Sequence, residues 1–575
     1  MATLSQSTLL LEEHFENGDD RFLDALYACT ADGKLKALAP RWIADPRPWA
    51  RKALLAYVDD GCDRGRHRAL VRALLRLAEE RKDDRLMAHL FRAFDGMDRH
   101  EIRVVDRWSW QDRETRKVSL RVAVKPHPKR AQTREFWDLL NAAPKNANWR
   151  LRGPYFSRKT RAYLRRRAFR WLRAMAYKDP ARFLEAAQYT LSIYTEADVE
   201  KAEHVVDVYG LTNLLYYGSD VLVRSSRDLR IAPGRQLLEL APAPLNPDAW
   251  RGQAEPLLRL LFRSDCLYVR RFLERWLERE EPEALASLRA AQLKPLLMSP
   301  YGDVQVFAAN LVDGAKGFGT FRVDDWMDLL GLDNLEVLPK ICALVERYVT
   351  SDRLGLEQLV HLGGLRAAPT AELALRWLKE RSITTSEQLA TLMALADAES
   401  THVREEAVRW LLEHVRGELG TADHARMLVD ARHPDVREIA LSLMAPGEKH
   451  ADDPALWLAL SESPYPEVRA FLVKHLEARM RVLPPERVAH VWASTLLSPY
   501  RGSRAKRRSL EQIATRVVAE PARADELLPI LRVALRSVRE AERRSALAAV
   551  ARAAFEAPAL LDKVAEHIPE LELGA

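Results

Sequence analysis

The sequence predicts an all-α fold, an α-solenoid of stacked helical hairpins carrying a small irregular, partly β insertion. Three observations predict it. At 575 residues the chain exceeds what one compact core sustains, which leaves several domains or an array that grows by repetition. A Val-centred motif recurs through the second half with a period of about 33 residues. The segments around that motif carry apolar residues at helical spacing and are bracketed by Pro-containing turns.

The repeat can be followed unit by unit. Val269, Val304, Val337, Val403, Val436, Val468 and Val538 mark it, at spacings of 35, 33, 66, 33, 32 and 70. Each long gap hides one degraded unit, near Thr370-Ala371-Glu372 and near Ser503-Arg504. A unit opens on a turn such as SPYGDVQ, RHPDVRE or SPYPEVRA. Pro at the start of a helix sacrifices no hydrogen bond, and an acid in the first turn complements the helix dipole. Val436, Ile439, Ala440 and Leu443 then share a face in one unit, and Val468, Phe471, Leu472 and Leu476 in the next. Runs such as PALWLALSE and ERVAHVWASTLL supply the second helix of each hairpin.

The order Pro, Asp-Val-Arg, apolar helix resembles the HEAT-repeat (armadillo-like) proteins of bacterial short-repeat type. The resemblance covers about residues 255–555, and more weakly the helical pair HRALVRALLRLAEERKDDRLMAHLFRAFD at 67–95. It implies a ladder of Asp and Arg along the stack, involving Arg404, Asp435, Arg437 and Arg469. That ladder is expected to break where Gln305 replaces Arg and where Arg270 and Arg539 lack a preceding acid. The resemblance implies no particular function, because HEAT arrays serve as scaffolds, transport receptors, nucleic-acid binders and a few enzymes.

Four segments are expected: N-terminal helical hairpins (1–100), a basic insertion (101–155), a helical segment with an irregular connector (156–254) and the repeat array (255–575). Within the insertion KVSLRVAV (117–124) alternates polar and apolar and would pair with RVVDRWSW (103–110) as a hairpin. A Pro-containing basic loop, KPHPKRAQTR, and a short helix at FWDLL follow. The connector at 206–247 is rich in Gly, Pro and Asn and reads as turns around one short helix at Leu211–Tyr217. Tyr209, Tyr216 and Tyr217 either pack this connector or line a groove.

Charge is where function is hinted at. The net charge is +7, yet residues 103–173 hold 21 Lys/Arg against 5 Asp/Glu, so a +16 zone sits in a chain that is otherwise acidic. Its densest part, FSRKTRAYLRRRAFRWLRAM (156–175), has no acid at all. At 100° per residue Leu164, Ala168, Trp171 and Met175 fall on one face, with Lys159, Arg166, Arg170 and Arg173 opposite. Arg158, Arg165 and Phe169 take one flank, Tyr163 and Arg167 the other. Like charges stacked along a helix cost stability unless something anionic meets them, and Arg suits bidentate contact with phosphate or carboxylate. The candidate anion-binding residues are therefore Arg158, Lys159, Arg165, Arg166, Arg170 and Arg173, with Lys129 and Arg130 from the basic loop. Trp108 and Trp110 are candidates for stacking on bases, or else anchor the insertion onto the solenoid. In the alternative reading the cations pair internally, with Glu185, Glu196, Asp198 and Glu200 downstream.

Motifs for catalysis are missing from the reading. GAKGFGTF (314–321) lacks the Lys-Ser/Thr ending of a phosphate loop, and neither HExxH nor GxSxG occurs. Cys29, Cys62, Cys266 and Cys342 are scattered, which fits buried thiols in a reducing compartment. No apolar run long enough to cross a membrane and no secretory signal is found, so a cytoplasmic location is expected. The expectation is a non-catalytic binding platform without cofactors, whose partner is an acidic polymer, DNA or RNA, held by its phosphates. The alternative is a protein–protein scaffold or adaptor. A third option, a HEAT-like DNA glycosylase, is prompted by WSWQD (108–112), but that family is much shorter and its catalytic positions do not align here.

Overall fold

The computed structural model describes residues 2–29, 31–97, 99–109, 113–124, 156–225, 228–498 and 503–571. It is predominantly helical, with many stacked helices, as the periodicity requires. The chain forms two compact units, Met1–Phe318 and Gly319–Ala575.

Within each unit a helix packs on its partner in the hairpin and on the helix two places along, the signature of hairpins stacked in chain order. In the first unit Asp32–Ala44 lies on Arg68–Glu80, and Pro48–Asp59 on Asp84–Asp95. The hairpin formed by Arg158–Lys178 and Pro180–Ser192 then stacks on the hairpin Arg68–Glu80/Asp84–Asp95. The insertion thus leaves and re-enters between two successive layers, so the stack continues as though it were absent. In the second unit Ala422–Val429 packs on Pro454–Ser461, which packs on Pro485–Leu497, while Pro466–Arg479 packs on Ser503–Ala519 and that on Glu540–Glu556.

The motif valines are the core of these layers. Val269, Val304, Val337, Val403, Val436 and Val468 are all buried. Val538 is not: it is 94% exposed in the loop before the helix Glu540–Glu556. Its three-residue match is out of register, and Ala546, Ala549, Val550 and Ala553 fill the core there instead. Arg539 pairs locally with Glu542, 3.1 Å away.

The ladder exists, and its connections run forward by one unit. Arg270 Nε donates to Asp303 at 2.7 Å, and Arg404 Nε donates to Asp435 at 2.9 Å. Arg437 Nε donates to Glu467 at 2.9 Å. Each Arg also turns Nη1 back to the carbonyl six residues earlier: Ser264 at 3.0 Å, Ala398 at 2.6 Å and Ala431 at 2.7 Å. Arg469 makes the same turn to Ser463. Gln305, expected to break the ladder, keeps half of the role by donating to Ser299 O at 2.7 Å. Nor does Arg270 need a preceding acid, since its acid lies in the next unit.

One carboxylate in the first unit is left poorly served. Glu274 Oε1 is buried without a hydrogen-bond partner. Burial, reinforced by nearby Asp303, pushes its carboxyl up to about 7. The folded state therefore favours the protonated form, and stability falls as pH rises from the unfolded value near 4.5 through 7. Glu274→Gln is expected to raise stability at pH 8 by on the order of 1 kcal/mol, after allowing for partial solvent access. The gain should vanish below about pH 5, which denaturation curves at the two pH values would check.

In the insertion Arg99–Ser109 and Glu114–Val124 form an antiparallel hairpin with Val105 opposite Val118 and Trp108 opposite Thr115. This is the expected pairing, with both strands starting earlier than the sequence marked, at Arg99 and at Glu114. Its base is tied to the solenoid: His100 N donates to Asp207 Oδ2 at 2.8 Å, and His100 Nδ1 lies 2.7 Å from Asp207 Oδ1. In the connector the expected helix spans Tyr209–Tyr216, and a second two-stranded ladder, Leu222–Arg224 with Leu229–Ile231, stands where only turns were expected. Among the described residues no helix is long and apolar enough to cross a membrane.

Candidate nucleic-acid interface

The basic helix spans Arg158–Lys178. The Ser157 side chain caps its start by accepting from Thr160 N at 3.3 Å, and Phe156 N donates to Asp63 O at 2.8 Å to fix the entry. Asp179-Pro180 ends it and opens the next helix, where a Pro at the first position is free of penalty. Leu164, Ala168, Trp171 and Met175 are buried as expected, joined by Leu172 and Ala176. They pack against Asp84–Asp95 and Pro180–Ser192. Burial of this apolar face fixes the helix rotation, and so decides which cations look outward.

The eight cations from Arg158 to Arg173 divide accordingly. Arg161 Nη1 donates to Met97 O at 2.7 Å, where the chain leaves for the insertion. Arg167 reaches Glu79 at 2.8 Å and the Tyr163 hydroxyl at 3.1 Å. The hydrogen bond from Arg167 holds the Tyr163 phenol below its ordinary range. Arg165, a candidate contact residue, is only 6% exposed; it donates to Asp207 O at 3.3 Å and lies 5.7 Å from the Tyr209 ring. It is therefore not part of the exposed stripe. Arg158 is exposed and loosely paired with Asp228 at 3.3 Å.

The remaining four form the stripe. Lys159, Arg170 and Arg173 are exposed and Arg166 is half-buried, its Nε donating to Ala162 O at 3.1 Å within the helix. Among the described residues Lys159 and Arg170 meet no acidic partner, and Arg173 touches only the Tyr217 hydroxyl, at 3.4 Å. The acids expected to neutralise the helix are engaged elsewhere or take no part: Asp198 holds Arg92 at 2.8 Å, and Glu196 lies 3.2 Å from Arg270. Of the acids the helix does meet, Glu79 comes from the preceding hairpin and Asp228 from the connector.

Two aromatic residues adjoin the stripe that the sequence reading did not connect with it. Tyr177 is 64% exposed. It follows Lys159 by 18 residues, five helical turns, and so stands on the same line as Arg166, Arg170 and Arg173. Tyr217 is half-buried, with the Arg224 guanidinium 5.0 Å from its ring centre and Phe169 packed at 5.9 Å. Tyr209 and Tyr216 are buried and pack the connector, as the plainer expectation had it. The 3.6-residue period already marked Tyr177; Tyr217 and Arg224 arrive only through tertiary folding.

Beside the N-terminal half of the helix lies a cleft of about 780 Å³, lined by His100, Arg158, Arg165, Lys201, Asp207 and Arg230 among others. Its cations are balanced by Asp207, Asp228 and Glu203, so it carries far less net charge than the stripe. Trp108 is 48% exposed near the end of the hairpin, on the face that also exposes Val104 and Asp106. Trp110, Lys129 and Arg130, and the FWDLL segment, lie outside the described residues.

The four cysteines are buried and free, and burial pushes the Cys266 thiol up to about 11. Among the described residues no group of three His, Cys, Asp or Glu side chains could hold a metal ion. No protein-family model and no curated protein matches the chain.

Proposed function

We propose that the chain is a HEAT-like solenoid acting as a non-catalytic platform for nucleic acid, gripped by its phosphate backbone along Lys159, Arg166, Arg170 and Arg173. One observation carries this reading. A single helix spends Arg161, Arg165 and Arg167 on internal partners, yet leaves an aligned row of cations facing solvent with no acid interleaved. A helix merely solvated would gain by placing Glu at i,i+4 from these positions, and here that gain is forgone. Phosphates would relieve the repulsion and release counterions, with little regard to sequence. The reading takes the cytoplasm as its setting, in keeping with free cysteines.

The test is fluorescence anisotropy with labelled DNA and RNA at low and moderate salt. Wild type is expected to bind at low salt and weaken steeply as salt rises. Lys159→Glu/Arg170→Glu/Arg173→Glu should lose about tenfold or more and flatten the salt dependence by about two to three units of slope. Arg409→Glu, on an exposed helix face of the second unit, should bind as wild type does. Absence of binding at low salt, or a triple variant that binds like wild type, would overturn the proposal and favour a protein partner.

A further inference from the structure

We infer that the preferred ligand of the basic stripe is a single strand rather than a duplex, with a base stacked on Tyr177. The inference rests on the stripe being a nucleic-acid contact and adds the class of nucleic acid. Among the described residues the Tyr177 ring meets no other ring, hydrogen-bond partner or cation, and it is 64% exposed, although it sits on a helix whose other large apolar groups are buried. It stands four residues beyond Arg173 and seven beyond Arg170, roughly 6 and 10 Å along the axis at 1.5 Å per residue. A phosphate held by either arginine thus leaves its base within reach of the phenol face.

Tyr217 supports the same geometry from the neighbouring element. Its hydroxyl accepts from Arg173 at 3.4 Å and Arg224 lies against its ring, so Arg173 stands between two tyrosines. Cations alternating with aromatic rings are what a single strand uses, because its bases are free to leave the backbone line and stack. In a duplex the bases are already stacked on each other, and a phenol beside the backbone gains nothing from them. A purely phosphate-reading surface would need only the cations.

The test uses the full chain and three probes of equal length, about 20 nucleotides: a single strand, the matching duplex and a single strand lacking bases. Wild type is expected to favour the single strand over the duplex by about tenfold. Tyr177→Ala should lose that advantage, Tyr177→Phe should keep it, and the baseless strand should bind both Tyr177→Ala and wild type equally. Because the side chain is exposed, circular dichroism should show all variants folded. Equal affinity for strand and duplex, with Tyr177→Ala unchanged but the triple charge reversal still defective, would overturn the inference and leave the platform standing. No binding of any probe by wild type would overturn both.

Discussion

Arg437→Ala is expected to destabilise its repeats by about 3 kcal/mol, at the lower end of what breaking a buried ion pair costs. Arg437 is 5% exposed and has four separate attachments. Nη1 donates to Ala431 O at 2.7 Å and Arg432 O at 2.8 Å, Nε and Nη2 hold Glu467, and the guanidinium lies 3.6 Å from the centre of the Tyr465 ring. Glu467 is half exposed, so the ion pair itself is screened and the larger share comes from the buried loop carbonyl and the stacked ring. The prediction therefore has an internal order. Glu467→Gln should cost less than about 1 kcal/mol. Arg437→Lys should recover less than half of the loss, because an ammonium cannot span carbonyl and carboxylate as a planar fork does. A chain of two units does not unfold in one step, so the measurement is hydrogen exchange across 422–479. Equal effects of Arg437→Ala and Glu467→Gln would mean that charge alone, rather than the fork, binds the layers.

The same arrangement occurs in the first unit, where Arg270 lies 4.0 Å from the Tyr301 ring centre and reaches Asp303. Tyr301-Gly302-Asp303 and Tyr465-Pro466-Glu467 are thus one device: a ring and an acid two residues apart that receive the arginine of the layer before. This shows what was legible in the sequence and what was hidden. A buried valine every 33 residues or so survives in the sequence because burial constrains residue type directly. The carbonyl six residues before each arginine leaves no trace, because every residue has one. Val538 was misread for the converse reason: a three-residue match carries too little of the helix behind it to fix the register. On the basic helix the buried stripe was legible because it depends only on the 3.6-residue period. Which cations are spent internally was not, since Arg167 and Arg158 find Glu79 and Asp228 at sequence separations of 88 and 70. Tyr177 was legible and overlooked; Tyr217 needed the fold.

The flank of the stripe depends on one buried acid, and its replacement carries the second large effect. Asp95 ends the helix Asp84–Asp95, and its carboxylate accepts from Gly210 N at 2.8 Å, Leu211 N at 2.9 Å and the Tyr194 hydroxyl at 2.9 Å. It thereby pins the start of the helix Tyr209–Tyr216, whose far end leads into Tyr217 beside Arg173. The approach is so close that a Cβ on Gly210 would meet the Phe91 ring at 2.5 Å and the Asp95 carboxylate at 3.1 Å. Asp95→Asn keeps one acceptor but turns an NH₂ toward donors already in place. Leaving up to two buried donors unmet costs about 2–4 kcal/mol, and Tyr217 should exchange faster as its helix loosens. The pH dependence supplies the sharper test. Burial, partly offset by those hydrogen bonds, pushes Asp95 up to about 6. A carboxyl whose folded value lies above its unfolded 3.8 contributes stability at acid pH that is lost as pH rises between those values, here about 3 kcal/mol. Asn cannot titrate, so the stability gap between wild type and Asp95→Asn should widen as pH falls from 7 to 4. A gap that narrows instead would mean that the three donors outweigh burial and hold Asp95 ionised throughout, making it a charged rather than a titrating clamp on the wall of the stripe.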